Sequence, residues 1–194
     1  MGNVPLSAFL IAISFAAGLN LYATVATLGL LARFDLVALP GELELLTNWW
    51  VIGASAALFL VEFVADKIPL FDLVWNALHT FIRIPAAALI GYSATSHLDP
   101  QWRLAAATLG GAIALAAHGG KTAARAAVTP SPEPFSNFAL STAEDAFTIF
   151  VTWFATRHPF IAAGIVLAMV AVIVVLIRVV IRAMRALFHP RAPA

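Results

Sequence analysis

The chain has 194 residues, 62% of them hydrophobic and 11% charged, with a formal net charge of +1. Soluble domains carry about 25% charged residues, so the composition argues against an ordinary soluble fold and makes an integral membrane protein the expectation. A charge this near neutral argues against a nucleic-acid partner, and the lack of cysteine excludes disulfides and thiolate chemistry.

Six membrane-crossing helices are predicted, each needing about 20 apolar residues. The first runs from Pro5 to Arg33. The first 32 residues of the chain carry no charge. With no basic residue ahead of the apolar run, it reads as a retained helix and not a cleaved leader. The loop Phe34 to Asn48 follows, with room for a short interfacial helix. The second helix, Trp49 to Ala65, is short. The third spans Phe71 to Ser96. The fourth opens at Asp99-Pro100, an N-cap followed by proline at the first helical position, and ends near Ala127. The proline-rich segment Pro130 to Asn137 is expected to be an extended tether. The fifth helix runs from Leu140 to Arg157, and the sixth from Pro159 into Arg178, Arg182 and Arg185.

Those arginines, with Arg191, mark the cytoplasmic side. Six crossings then put both termini in the cytoplasm. The whole chain, 1–194, reads as one all-α, multi-pass transmembrane domain of a plasma (bacterial inner) membrane. The halves 1–97 and 98–190 each read long helix, short helix, long helix. Each long opener carries small and polar residues, Ala17-Gly18-Leu19-Asn20 and His118-Gly119-Gly120-Lys121. Two inverted three-helix repeats with interrupted helices fit that pattern, although Glu62 ends a helix and Glu144 starts one.

On this topology most intramembrane charge falls in the cytoplasmic half. Glu62 and Asp66 are four residues apart. Asp72, Asn76, His79 and Arg83 step by four, three and four, and His118, Lys121 and Arg125 by three and four. Each set shares one helical face. Such faces turn toward one another, because lipid penalises each alone. Plainer accounts exist for several of them. Ser141 to Glu144 fits a capping box with Asp145 in the first turn. Asp72 complements a helix N-terminus, and Lys121 and Arg125 a C-terminus. His79 fits a satisfied interior histidine, and Asn20 an interhelical hydrogen bond. Glu62 and Asp66 resist such accounts, because carboxylates at a helix C-terminus oppose its dipole. They are expected to meet cations, Lys121 and Arg125 first and Arg83 next. Trp75 is the tryptophan expected to face this group.

The runs EFVADKIPLFDLVWNALHTFIRIPAAAL (62–89) and HGGKTAARAAVTPSPEPFSNFALSTAEDA (118–146) resemble the bacterial integral-membrane family named domain of unknown function 4126. The resemblance covers nearly the whole chain and implies a membrane location. It brings no activity and no site.

Three functions fit these residues. A small transporter or channel would use Asn20, Glu62, Asp66, Asn76, His79, Arg83, His118, Lys121, Arg125, Glu144 and Asp145 as a solute or ion pathway. Its cations would attract an anion, and its carboxylates and His79 would relay a proton. A metal-dependent enzyme acting on a phosphorylated lipid would draw ligands from Glu62, Asp66, Asp72 and His79. It would hold phosphate with Lys121 and Arg125. A non-catalytic membrane protein would use the charges only to hold helices together. The residues name no cofactor. The partners are the lipid bilayer and a small solute, ion or lipid, and Gly110-Gly111 in the alanine-rich fourth helix permits a homodimer.

Overall fold

The computed structural model describes residues 5–128 and 134–188, with the side chains of 69–73, 126–128, 134–137, 183–184 and 186–188 outside that description. Among the described residues all regular structure is helical. The elements are α1 (Leu6–Leu19), α2 (Leu21–Arg33), a 3-10 turn (Gly41–Thr47), α3 (Trp49–Ala65), α4 (Pro69–Ala94), α5 (Pro100–Val128), α6 (Pro134–Arg157) and α7 (Pro159–Phe188). Each of α4 to α7 begins on a proline, whose preset φ suits the first helical position and whose missing N–H is not needed there.

The central element is α1. From Ala8 to Leu19 every residue except Ile11 is buried, and α4, α5, α6 and α7 pack around it. Gly18 sets the closest approach. A Cβ there would lie 2.5 Å from the Ala114 carbonyl oxygen of α5.

The expected single crossing from Pro5 to Arg33 is a hairpin. Asn20 is extended, at φ −148° and ψ 103°. It separates the two arms and caps α2 by accepting from the Ala23 N–H at 3.0 Å. The neighbours fix the direction of each arm. Ser14 lies against Gly110, Gly18 against Ala114, and the Leu19 carbonyl at the Lys121 ammonium, so α1 runs parallel to α5. Gly91 lies against Ala106, and Thr80 bonds His118, so α4 runs antiparallel to α5. Thus α1 descends from the level of Ala94 to the level of His79, a drop of about 20 Å at the helical rise per residue. At that lower level Tyr22 bonds His79. From there α2 climbs back, with Gly29 against Leu46 and Ile52. The connection then reaches the end of α4 at Gly41. That residue has φ +60°, and a Cβ on it would lie 2.4 Å from the Ser93 carbonyl oxygen, so only glycine fits.

The remaining helices alternate. α3 descends from Ile52, beside Gly29, to Glu62, beside Arg83. α6 passes Asn20 at Asp145 and buries Thr148, Val151, Thr152 and Ala155 above it. α7 comes down again and meets Gly120 at Ile173. Leu6 and the end of α7 therefore lie at opposite ends of the bundle. Six passes through the bundle would have put them at one end; the hairpin at Asn20 turns back and makes none.

Among the described helices, only Pro159–Arg182 within α7 is long and apolar enough on its own to cross a membrane. The 3-10 turn and α3, bent by 72°, qualify as a pair. The polar faces of α4, α5 and α6 lower their hydropathy, although they have 26, 29 and 24 residues. Around the apolar core, large apolar side chains also face outward while charges are buried within. Trp50 and Phe81 are 87% and 81% exposed, while Arg83 and Glu62 are wholly buried.

Three further expectations change. The fifth predicted helix begins at Pro134 and not Leu140. So 134–137 is helical and not a tether, and 130–133 lies outside the described residues. Ser141 sits two turns inside α6, which removes the capping box. α5 runs unbroken through Gly119-Gly120, so the two halves do not share an interruption. Gly120 instead admits the Ile173 side chain, to within 2.7 Å of where a Cβ would stand, while a Cβ on Gly119 would meet nothing within 4 Å.

Candidate functional site

Four helices and the hairpin tip bring the polar residues to one level. The C-terminal turn of α3 supplies Glu62 and Asp66. The stretch of α4 up to its middle supplies Asn76, His79 and Arg83, all on one face. The C-terminal third of α5 supplies His118, Lys121 and Arg125, and the middle of α6 supplies Glu144 and Asp145. Asn20 reaches the group because the hairpin turns there.

Ion pairs knit the group together. Glu62 Oε1 accepts from Arg83 and lies 3.5 Å from Lys121 Nζ. Asp66 Oδ2 lies 2.9 Å from Lys121 and 3.0 Å from Arg125. The Asp66 carbonyl accepts a second bond from Arg125 at 2.9 Å. Glu144 Oε2 accepts from Arg125 at 2.7 Å and lies 3.8 Å from Lys121. Lys121 also donates to the Leu19 carbonyl at 3.3 Å. That carbonyl belongs to the C-terminal end of α1, where the helix dipole is negative. The side chains of Glu62, Asp66, Arg83 and Lys121 are fully buried, and Glu144 is 13% exposed.

Hydrogen bonds orient the two histidines. The Trp75 carbonyl only accepts, so His79 Nδ1 donates to it at 2.8 Å, and Nε2 accepts from the Tyr22 hydroxyl at 3.1 Å. Trp75 stacks on the His79 ring at 4.4 Å, in the group as expected. The Arg83 guanidinium only donates, so His118 Nδ1 accepts from it at 3.1 Å. Its Nε2–H then donates to Thr80 Oγ1 at 2.7 Å, which donates on to the Asn76 carbonyl at 3.1 Å. The two imidazoles are thus held as opposite neutral tautomers. Arg83 also reaches Asn76 Oδ1 at 3.4 Å.

Asp145 stands apart. Its Oδ1 accepts from Asn20 Nδ2 at 2.9 Å, while its buried Oδ2 has no hydrogen-bond partner. Glu62 Oε2 and Ser141 Oγ are likewise buried without one. Among the described side chains, three carboxylates (Glu62, Asp66, Glu144) share three cations (Arg83, Lys121, Arg125), and Asp145 pairs with none of them.

All eleven pathway candidates meet here. Among the described residues no three His, Asp or Glu side chains are placed to hold an ion. Glu62 and Asp66 are taken by cations, His79 is turned to Tyr22 and Trp75, and the Asp72 side chain lies outside the described residues. Lys121 and Arg125, expected to hold phosphate, are occupied by carboxylates. Two members escaped the sequence reading. Thr80 follows Asn76 by one helical turn and was legible from spacing. Tyr22 was not, because its place depends on the hairpin. A family model described as a domain of unknown function (DUF4126) matches residues 8–179. No curated protein and no solved structure matches the chain.

Proposed function

The chain belongs to the DUF4126 family, and from the site's geometry we propose that it is a multi-pass membrane protein that moves a small solute or ion, seen here with its polar site closed. One observation carries this reading: a broken apolar hairpin ends on a buried charge network. Half-helix ends that face a polar site near mid-membrane recur in secondary transporters, where carbonyl ends attract cations and amide ends attract anions. Here the carbonyl end of α1 meets Lys121, and the start of α2 is capped by Asn20.

The topology that goes with this reading has five crossings, α3 to α7, and one re-entrant hairpin. Arg33, Arg103 and Arg157 lie on the hairpin's entry side. Lys67, Arg178, Arg182 and Arg185 lie on the other, which is the cytoplasmic side of a plasma (inner) membrane. The N-terminal end of α1 is then outside.

A second reading has its own support. The ion pairs are sealed from solvent, as a purely structural lock between helices requires. The natural chain has no cysteine, which permits a direct test. Ser141 is buried with no partner for its hydroxyl, so Ser141→Cys changes little. In intact membranes, a membrane-impermeant maleimide applied from the cytoplasmic side is expected to label it. Labelling only after denaturation would leave the lock and remove the transporter.

A further inference from the structure

We propose that Asp145 is a proton-binding carboxyl, and that the proton is the ion this site takes up and releases. The proposal rests on the transport reading for its purpose, though not for its chemistry. It starts from the company Asp145 keeps. The side chain is almost fully buried, and among the described residues the amide of Asn20 at the hairpin tip is its only hydrogen-bond partner. No Lys or Arg nitrogen among the described side chains comes within ion-pairing distance of it.

The facing cations are engaged elsewhere. Arg83 of α4 holds Glu62, and Arg125 of α5 holds Asp66 and Glu144. Lys67, past the end of α3, donates to the Phe63 carbonyl at 2.8 Å and lies over the Phe63 ring at 3.0 Å. Lys121 of α5 is shared by Asp66, Glu62 and Glu144 at 2.9, 3.5 and 3.8 Å. The other neighbours, Glu62 and Asp66 of α3 and Glu144 on α6 itself, are acidic. An ionised Asp145 would be a buried carboxylate with no ion-pair partner among the described side chains, and with no solvent in that partner's place. A proton on Oδ2 removes that unpaired charge and leaves the Asn20 bond to Oδ1 intact.

Release of that proton to water makes Asp145 a competitor for Lys121, the most widely shared cation. Lys121 is also the group that holds the Leu19 carbonyl. Drawing it toward Asp145 loosens the end of α1, so proton loss is coupled to movement of the hairpin tip. Glu144, the most exposed of the ion-paired carboxylates, marks the side from which water reaches the group.

Infrared spectroscopy of the purified full chain in detergent tests this. A protonated-carboxyl band is expected at neutral pH. It should shift when aspartate, and not glutamate, carries carbon-13. It should vanish in Asp145→Asn and fade as pH rises. No band at neutral pH, or a band that moves with labelled glutamate or survives Asp145→Asn, overturns the proposal. The isotope arm needs only the wild-type chain, so a variant that fails to fold does not block it. Labelling of Ser141→Cys without an aspartate band keeps transport and removes the proton; the band without labelling keeps the proton site and removes transport.

Discussion

The two ends of the bundle are held together by different forces. Near Ala94, α1, α4 and α5 meet through small residues. Gly91 lies against Ala106, and Gly110 against Ala87 and Ser14. A mostly apolar cleft of about 530 Å³ opens there, lined by residues such as Leu6, Leu10, Thr95 and Trp102. Near Asn20, six carboxylate, lysine and arginine side chains replace that fit with ion pairs. Close packing of small residues is local, so one loss leaves the other contacts standing. A shared set of buried charges is collective, because removing one member strands its partner. The small-residue end suits a fixed frame, and the charged end suits a part that changes state.

Graded substitutions test that contrast. The largest effect is expected at the charged end. Arg83→Met leaves Glu62 with only the longer Lys121 contact, and should cost about 3–5 kcal/mol of stability. Thermal melting in detergent measures it, and Glu62→Gln in the same chain should restore much of the loss. If the two substitutions simply add, the charged end is no more collective than the other. Gly18→Val comes next. Its first added carbon overlaps the Ala114 backbone, which cannot swing aside, and the expected cost is about 2 kcal/mol. A loss at Gly18 larger than at Arg83 would reverse the comparison. Asn20→Ala removes the cap of α2, worth about 1 kcal/mol, and the only hydrogen bond to Asp145 among the described residues. Amide exchange should quicken at Ala23 and leave the α4–α5 contact near Gly91 unchanged. The smallest effect sharpens the picture inside α5. Gly119→Ala should stabilise by about 0.5–1 kcal/mol, the usual helix-propensity gain, because nothing lies in its way. Gly120→Ala should give less or reverse the sign, since Ile173 must yield.

Much of this arrangement was legible in the sequence, and the exceptions share a cause. The bounds of α3 and the start of α7 follow from apolar runs with turn residues beside them. The gathering of Glu62, Asp66, Arg83, Lys121 and Arg125 follows from helical spacing and the penalty on lone charges. Asn20 was visible as a break. The chain's direction after it was not, because contacts of Gly29 and Gly41 decide it, 9 and 21 residues further along. Gly119-Gly120 looked like a break or a close helix crossing because two glycines weaken a helix by about 2 kcal/mol; the helix is unbroken, and the close approach is that of Ile173 to Gly120. Ser141 looked like a cap because the pattern matched, while Pro134 had already started the helix. Local chemistry was readable wherever local terms decided the outcome.

The hairpin also sets an order on how the protein is made. Its tip leaves the ribosome early, yet the groups that complete it come late. The ammonium that meets the Leu19 carbonyl lies 102 residues downstream, and the carboxyl that meets Asn20 lies 125 residues beyond it. Contacts so distant in sequence form slowly. Until α5 and α6 emerge, the broken end of α1 has no protein partner for its freed carbonyl. A chain stopped before α6 would hold every residue of the hairpin and still be unable to seat it, which makes the last third of synthesis the step that commits the whole bundle.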